Sequence, residues 1–411
     1  MGGKAALLLV LGFSLIFMVA GANFNGMATS TVDNFTSYYN DAKCHQLATT
    51  GVNLVLNQLF LDNTLADQTF SYNFDDGTIS VALSTINGSQ RQLVATGSFN
   101  GNSAIIKVGF SPSSFAKYAY FSDSEGANIW WTTKDTVWGP FHTNGQLRVA
   151  DNPVFFGKVT IDGSLVYYSH SAHPEFYGGL ETGVHIDIPD NGVSNVAAAA
   201  ATNGAVFSGH STVYLEFRSD SVRYRYATSG AGSTWNYALT SEFAPNGTIF
   251  AEDATLRIKG EVKGQYTIGV SGTGGERGKV YLDGDVYYHD NPQTNPNSTD
   301  MLGIVALRDV VITDNSTNNN DITIQAAIYC ETGSFTADNY QNRGVDGDIN
   351  LYGGITQYTR GPVGVFKTDW WGNSYIVDGF SKRYKYDGRL MTSSPPMFPG
   401  TGKIEIVSWF E

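Results

Sequence analysis

MGGKAALLLVLGFSLIFMVAGANFN, residues 1–25, decides how the rest of the chain is read. From Ala5 to Ala22 the only polar side chain is Ser14, and Lys4 is the only charge before Asp33. A run of this length can cross a bilayer core of ~30 Å. Lys4 ahead of it favours an N-terminus that stays cytoplasmic. Three uses are open. The run could be a cleaved secretory signal, for which Ala20-Gly21-Ala22 supplies an A-x-A site. It could be a lasting anchor. Or it could leave the bilayer and become the core of a filament.

The residues after this run favour retention. Apolar residues recur at Phe24, Met27/Ala28, Val32, Phe35, Tyr38/Tyr39, Ala42, Ala48, Val52, Val55/Leu56 and Leu59, which is helical spacing. No proline occurs before Pro112, so a helix begun at Ala5 can run to Leu61, about 85 Å at 1.5 Å per residue. Gly21 and Gly26 are its weak point, where it could bend or melt. The polar face of residues 23–61 carries Asp33, Asp41 and Lys43 and is otherwise Asn, Thr, Ser and Gln. A solvated helix face carries more charge. An uncharged one suits packing on several sides.

These residues resemble a family. A hydrophobic N-terminal helix that continues into a long amphipathic one is the plan of type IV pilins and pseudopilins. GGKAALLLVLGFSLIF resembles the start of their PilX-like minor-pilin branch, and Asp41-Ala42-Lys43 with Leu47-Ala48-Thr49-Thr50-Gly51-Val52-Asn53 resembles the Ala-rich segment that follows there. The resemblance implies cleavage by a prepilin peptidase between Gly3 and Lys4. Gly12-Phe13-Ser14-Leu15-Ile16 is similar to the major-pilin start, but a cut there would leave an apolar leader and too little span. Pilins usually carry an early glutamate that pairs with a neighbour's N-terminal amine. Counting from Lys4 the matching residue is Leu8, and from Phe13 it is Phe17, so this chain lacks the acid. The lack favours a minor, tip-located subunit or an atypical assembly. The stretch Leu351–Gly364 and the final Ile404–Trp409 run resemble the end of bacterial pilin-like envelope proteins of unassigned function.

Composition agrees with an extracellular β-rich protein. Charged residues are 15% of 411, against ~25% in average soluble domains. Glycine (46) and tyrosine (23) are abundant, which suits short strands and tight turns. A net charge of −13 repels phosphate backbones and argues against nucleic-acid binding. The two cysteines, Cys44 and Cys330, could pair in an oxidising compartment or stay free.

After Asp62 the pattern turns to strands. Phe70–Phe74, Thr78–Ser84, Gln92–Thr96 and Ala104–Phe110 read as a four-strand meander with turns at Asp76-Gly77 and Asn87-Gly88. Phe115, Tyr118, Tyr120, Phe121, Trp130 and Trp131 read as the end of that head's core, with carbohydrate stacking as the sharper alternative. From Gly139 onward, Leu147-Arg148-Val149…Val159-Thr160-Ile161 and Leu256-Arg257-Ile258…Val262…Thr267-Ile268 share a pattern. Short strands with Gly, Asn or Asp corners read as a parallel β-solenoid, with a β-sandwich as the rival.

The expected fold is therefore α+β, with a leader and long helix over 1–61, an antiparallel head over 62–138, and a solenoid-like domain over 139–411. An insertion at 172–243 carries a short helix at Val196–Ala201.

Chemistry is sparse. His170-Ser171-Ala172-His173-Pro174-Glu175 could offer two imidazoles and a carboxylate to a metal, but a surface turn explains it as well. Asp283-Gly284-Asp285 and Asp346-Gly347-Asp348 are pieces of calcium loops, or simply corners. Asp187, Asp190, Glu216, Asp283 and Asp285 are the carboxylates a glycan-cleaving solenoid would draw on. No nucleophile elbow, P-loop or dinucleotide fingerprint occurs.

The expectation is a structural subunit of a pilus-like filament, not an enzyme, with no metal and no cofactor. Its assembly helix would use Leu8, Leu9, Leu11, Leu15, Ile16, Phe17, Phe24, Met27 and Phe35. It would sit in a bacterial inner membrane before joining a surface filament. Its partners would be copies of itself or other pilins, the pilus assembly machinery and a prepilin peptidase. The alternative is a secreted β-solenoid adhesin or glycan-active enzyme whose signal is removed.

Overall fold

The computed structural model describes residues 2–62, 65–87, 90–126, 128–133, 135–227, 234–370 and 374–411. The chain is mixed α+β and divides into two units, Met1–Pro112 with Lys403–Glu411, and Ser113–Gly402.

The first unit is a helix against a sheet. Helix α1 runs unbroken from Gly2 to Leu61, straight through Gly21 and Gly26. Its buried positions are 44, 47, 48, 51, 52, 55 and 59, one face at helical spacing. Leu47, Ala48, Val52, Val55 and Leu59 pack on Ile79, Val81, Leu83, Leu93, Ala95, Ile106 and Val108. These come from β2 (Gly77–Asn87), β3 (Gln90–Phe99) and β4 (Asn102–Ser114), which with β1 (Gln68–Phe74) form an antiparallel meander. The first turn is Asp75-Asp76, both with positive φ, and the last is Asn100-Gly101. These are the two-residue hairpins whose twist suits paired strands. The turn expected at Asn87-Gly88 includes residues outside the described set.

Close approach of helix and sheet depends on Gly97, where a Cβ would meet backbone atoms of Cys44 and Ala48. After the helix, Arg91 donates to the Leu65 carbonyl (2.6 Å) and to Asp67 (2.8 Å), and Asp67 accepts the Thr85 amide. The Arg91 hydrogen bond, and then that amide, hold the Asp67 carboxyl below its usual pKa.

Two expectations about this unit are corrected. The sheet gains a fifth strand from the far end of the chain, Gly400–Phe410, beside β4. The aromatic segment that follows β4 is not part of its core. Phe115, Tyr118 and Phe121 pack with Tyr329 and Phe398, and Tyr120 and Trp131 lie in the main core of the second unit. The boundary therefore falls after Pro112 rather than at 138.

In the second unit, short strands stack in parallel. Tyr120–Ser124, Phe141–Thr143, Val159–Ile161 and Leu180–Thr182 pair in that order. The chain then crosses through α2 (Gly192–Asn203) and restarts. Ala205–Phe207, Thr248–Ala251, Gln265–Val270, Met301–Ala306, Ile322–Cys330 and Val345–Thr359 follow one another, each parallel to the last. The final strand of this series pairs with the first, Ile355 opposite Tyr120. So the chain enters mid-stack, builds outward, crosses to the far end and builds back to where it began. One in-register column shows it: Ile249, Ile268, Ile304, Ile328, Ile355, Tyr120, Phe141, Val159. Parallel pairing of this kind is not that of an antiparallel sandwich.

Residues 172–243 are accordingly not a simple insertion. Glu175–Phe176 and Leu180–Thr182 finish one half of the stack. Ala205–Phe207 and Thr212–Ser219 open the other. What departs from the stack is α2, which spans the expected Val196–Ala201 helix, and the antiparallel strands Ser221–Ala227 and Asn236–Leu239. These strands cover the edge of Thr212–Ser219, which would otherwise expose unpaired backbone groups.

Where the halves meet, Arg360 pairs with Glu125 (2.9 Å) and Lys382 with Asp135 (2.8 Å), all four side chains buried. Tyr120 and Trp131 also donate to Glu125, and the Arg360 guanidinium lies 4.1 Å from the Trp131 ring centroid. Burial pulls the Lys382 ammonium below its ordinary pKa, against the opposing pull of Asp135. Removing one partner of such a pair strands the other charge. Glu125→Gln is expected to lower the stability of this unit by about 3–5 kcal/mol, read from urea unfolding; a loss under about 1 kcal/mol would mean the junction does not depend on the pair.

Candidate assembly surface

From Gly3 to Lys43 no side chain of α1 is buried. Leu8, Leu9, Leu11, Leu15, Ile16, Phe17, Phe24, Met27 and Phe35 are all exposed, Phe17 to 73% and Phe35 to 69%. Val32, Tyr38 and Tyr39 join them. The segment is long and apolar enough to cross a membrane, and none of its most apolar stretch is covered by the rest of the chain. Soluble surfaces rarely expose contiguous apolar patches of this extent, and such patches mark membrane or protein contacts.

The sparse polar groups here make little demand on water. Thr29 donates to the Asn25 carbonyl (3.0 Å) and Thr31 to that of Met27 (2.8 Å), each four residues back. Their hydroxyls are thus satisfied within the helix, as suits a segment that leaves water. Lys43, where the buried face begins, pairs with Asp75. Gly12, Gly21 and Gly26 have open space where a Cβ would stand. Nothing among the described residues accounts for them.

Other residues singled out from the sequence are not brought together. Cys44 and Cys330 are free and buried, one in each unit. Burial drives the Cys330 thiol well above its usual pKa. His170 and His173 are exposed, and Glu175 accepts the Tyr177 hydroxyl (2.6 Å). Among the described residues no group of three or more His, Cys, Asp or Glu side chains is arranged to hold a metal ion.

Four of the five candidate carboxylates accept hydrogen bonds from neighbouring groups. Glu216 accepts from Arg218 and Arg223; burial would raise its pKa, but Arg223 and then Arg218 outweigh that and hold it low. Asp283 takes a two-bond grip from Arg257 and a hydroxyl from Thr313. Asp285 accepts the Thr323 amide (2.8 Å). Asp187 shares His185 with Asp162, and hydrogen bonds first to Asp162 and then to Asp187 raise that imidazole's pKa. Asp190 is exposed. Asp346 pairs with Arg343, and burial lifts its carboxyl in spite of that partner. Asp348 pairs with Arg383 (3.2 Å).

The fold and this surface define an α+β protein with a long, largely unpartnered N-terminal helix. A family model described as a domain of unknown function, DUF4900, matches residues 71–164, from β1 into the parallel stack. No curated protein matches the chain. Among solved structures, the crystal structure of the competence-associated pilin ComZ from Thermus thermophilus is similar at 12% identity and a TM-score of 0.38, over 90% of this chain and 97% of that one.

Two leucines of one helix should behave differently. Leu47→Ala empties the helix–sheet core and should cost about 2–5 kcal/mol. Leu15→Ala should change the stability of the detergent-solubilised chain by less than about 0.5 kcal/mol. Hydrogen exchange of residues 68–110 reads both; equal loss of protection would show that the apolar end is part of the fold.

Proposed function

We propose that the chain is a structural, non-enzymatic subunit of an extracellular filament of the type IV pilus kind, held in a bacterial inner membrane by residues 5–22 until it assembles. The observation that carries this reading is where the exposed apolar surface ends. Residues 5–22 span about 27 Å, enough for a bilayer core. Residues 23–40 add about as much again, and there Phe24, Met27, Val32, Phe35 and Tyr38 remain exposed. An anchor alone leaves that second stretch in water. Packing against the helices of other subunits removes it, at roughly 1.5–3 kcal/mol for each large apolar side chain buried.

Asp33 is the only charge between residues 23 and 40, and with Leu8 in place of an acid, assembly relies on shape and apolar contact. Partners are copies of this chain or other pilins, served by the pilus assembly machinery and by a prepilin peptidase acting between Gly3 and Lys4. The parallel ladders of residues 113–402 support reading the displayed domain as a β-solenoid. The secreted alternative is disfavoured by the same observation: a chain cut after Ala22 would keep an exposed apolar stub from Phe24 to Tyr39.

Two substitutions separate an anchor from a filament core. Leu15→Asp places a charge mid-span, at about 2.5–3.5 kcal/mol against insertion, and should reduce both membrane retention and surface fibres. Phe35→Asp should leave membrane retention intact and reduce fibres at least tenfold. Fibre yield unchanged by Phe35→Asp, or N-terminal sequencing that finds Asn23 as the first residue, would overturn the proposal.

A further inference from the structure

Across the second unit the parallel register sets side chains in rows. Gln325 stands opposite Tyr352, Tyr352 opposite Lys385, and Lys385 opposite Trp138. Three strand steps of about 4.8 Å make this row roughly 14 Å long. It forms the floor of a cleft of about 470 Å³ that Asn350 and Gln293 also line. One wall is the turn after Tyr288. Asp300 accepts the amides of Asp290 (2.8 Å) and Gly264 (2.7 Å), and Arg389 donates to the Ser298 carbonyl, so the wall is braced.

The chemistry along the row is mixed in a particular way. Tyr352 is half-buried, its hydroxyl engaged by Asp387, and it stands two strands from the exposed Trp138. Lys385 and the Asn350 side chain have no hydrogen bond or ion pair among the described residues. The Gln325 oxygen is taken by the Tyr288 amide (2.7 Å), which leaves its NH2 to donate outward. Arg383, also in the cleft, is paired with Asp348, so Lys385 is the cation left over.

We infer that this cleft binds an acidic oligosaccharide. The Tyr352 ring and the face of Trp138 not covered by Phe156 suit the C–H faces of pyranose rings. The Asn350, Gln293 and Gln325 amides suit paired hydroxyls, as polar groups fix orientation in ligand sites. The Lys385 ammonium takes a carboxylate of the sugar, a charge-assisted contact stronger than a neutral one. A nucleotide fits less well: its phosphates concentrate charge at one point, whereas the cleft has one free cation among the described residues, which suits single carboxylates spaced along a sugar chain. A purely apolar ligand would leave the amides and the ammonium unpaired. The cleft belongs to residues 113–402 alone, and its binding stands apart from the filament reading.

Calorimetric titration of the full-length protein in detergent, at physiological salt, tests it with tetragalacturonate and the neutral galactose tetramer as probes. The acidic tetramer should bind at least tenfold more tightly. Lys385→Gln should abolish that preference, and Trp138→Ala should weaken both ligands at least tenfold. Because Trp138 stacks on Phe156, its variant is checked by thermal unfolding; if it has lost structure, Lys385→Gln alone decides. No binding of either tetramer at about 1 mM, equal affinity for the two, or a Lys385→Gln variant that keeps the preference would each overturn the inference.

Discussion

The apolar surface of α1 from Ala5 to Tyr38 is left exposed by the described residues, and water is a poor partner for it. A helix is the form in which such a segment can change surroundings, because its backbone hydrogen bonds close on themselves and need nothing from lipid or neighbours. Continuity matters as much as hydropathy. The same helix that is bare at Leu15 is pinned at Leu47, Val52 and Leu59 by the sheet. A load on the bare end therefore reaches a folded unit without passing through a loop. Gly97 lets the helix lie close enough for that grip.

The second unit depends on a different constraint, the register of its parallel ladders. A column that runs from Ile249 through Ile355 to Tyr120 and Val159 draws on both ends of the unit. Its weakest place in sequence terms is the meeting of Ile355 with Tyr120, and there the buried Arg360–Glu125 and Lys382–Asp135 pairs lie. Buried ion pairs cost desolvation and add little net stability, but they penalise a slipped register. Glu216, Asp283 and Asp348 along the ladders are likewise paired with arginines, at more exposed positions.

The sequence showed what is local and hid what is distant. The 3.6-residue spacing from Ala42 to Leu59 marked the helix, and the strands of the meander fell close to where alternation put them. The apolar run from Leu8 to Phe35 was plain, since hydropathy states directly which side chains avoid water. The fifth strand of the sheet was not, because its partner lies about three hundred residues earlier and no local pattern carries pairing over such a span. The same limit misplaced Phe115 to Trp131: aromatic residues declare that they are core material without declaring which core. Of the pattern shared by Leu147–Ile161 and Leu256–Ile268, Thr160-Ile161 and Thr267-Ile268 lie in one ladder but two residues out of register, since Ile268 shares its column with Val159. The row from Gln325 to Trp138 had no sequence signal, because only the register brings those residues together.

Electron cryomicroscopy of fibres sheared from the cell surface is the decisive measurement. The expected result is a filament whose interior is made of helices corresponding to residues 5–40 of neighbouring copies, or of this chain among other pilins, with Phe24, Met27 and Phe35 buried between them. Fibres whose core lacks this helix, or a protein recovered only as a single membrane-anchored chain, would contradict it.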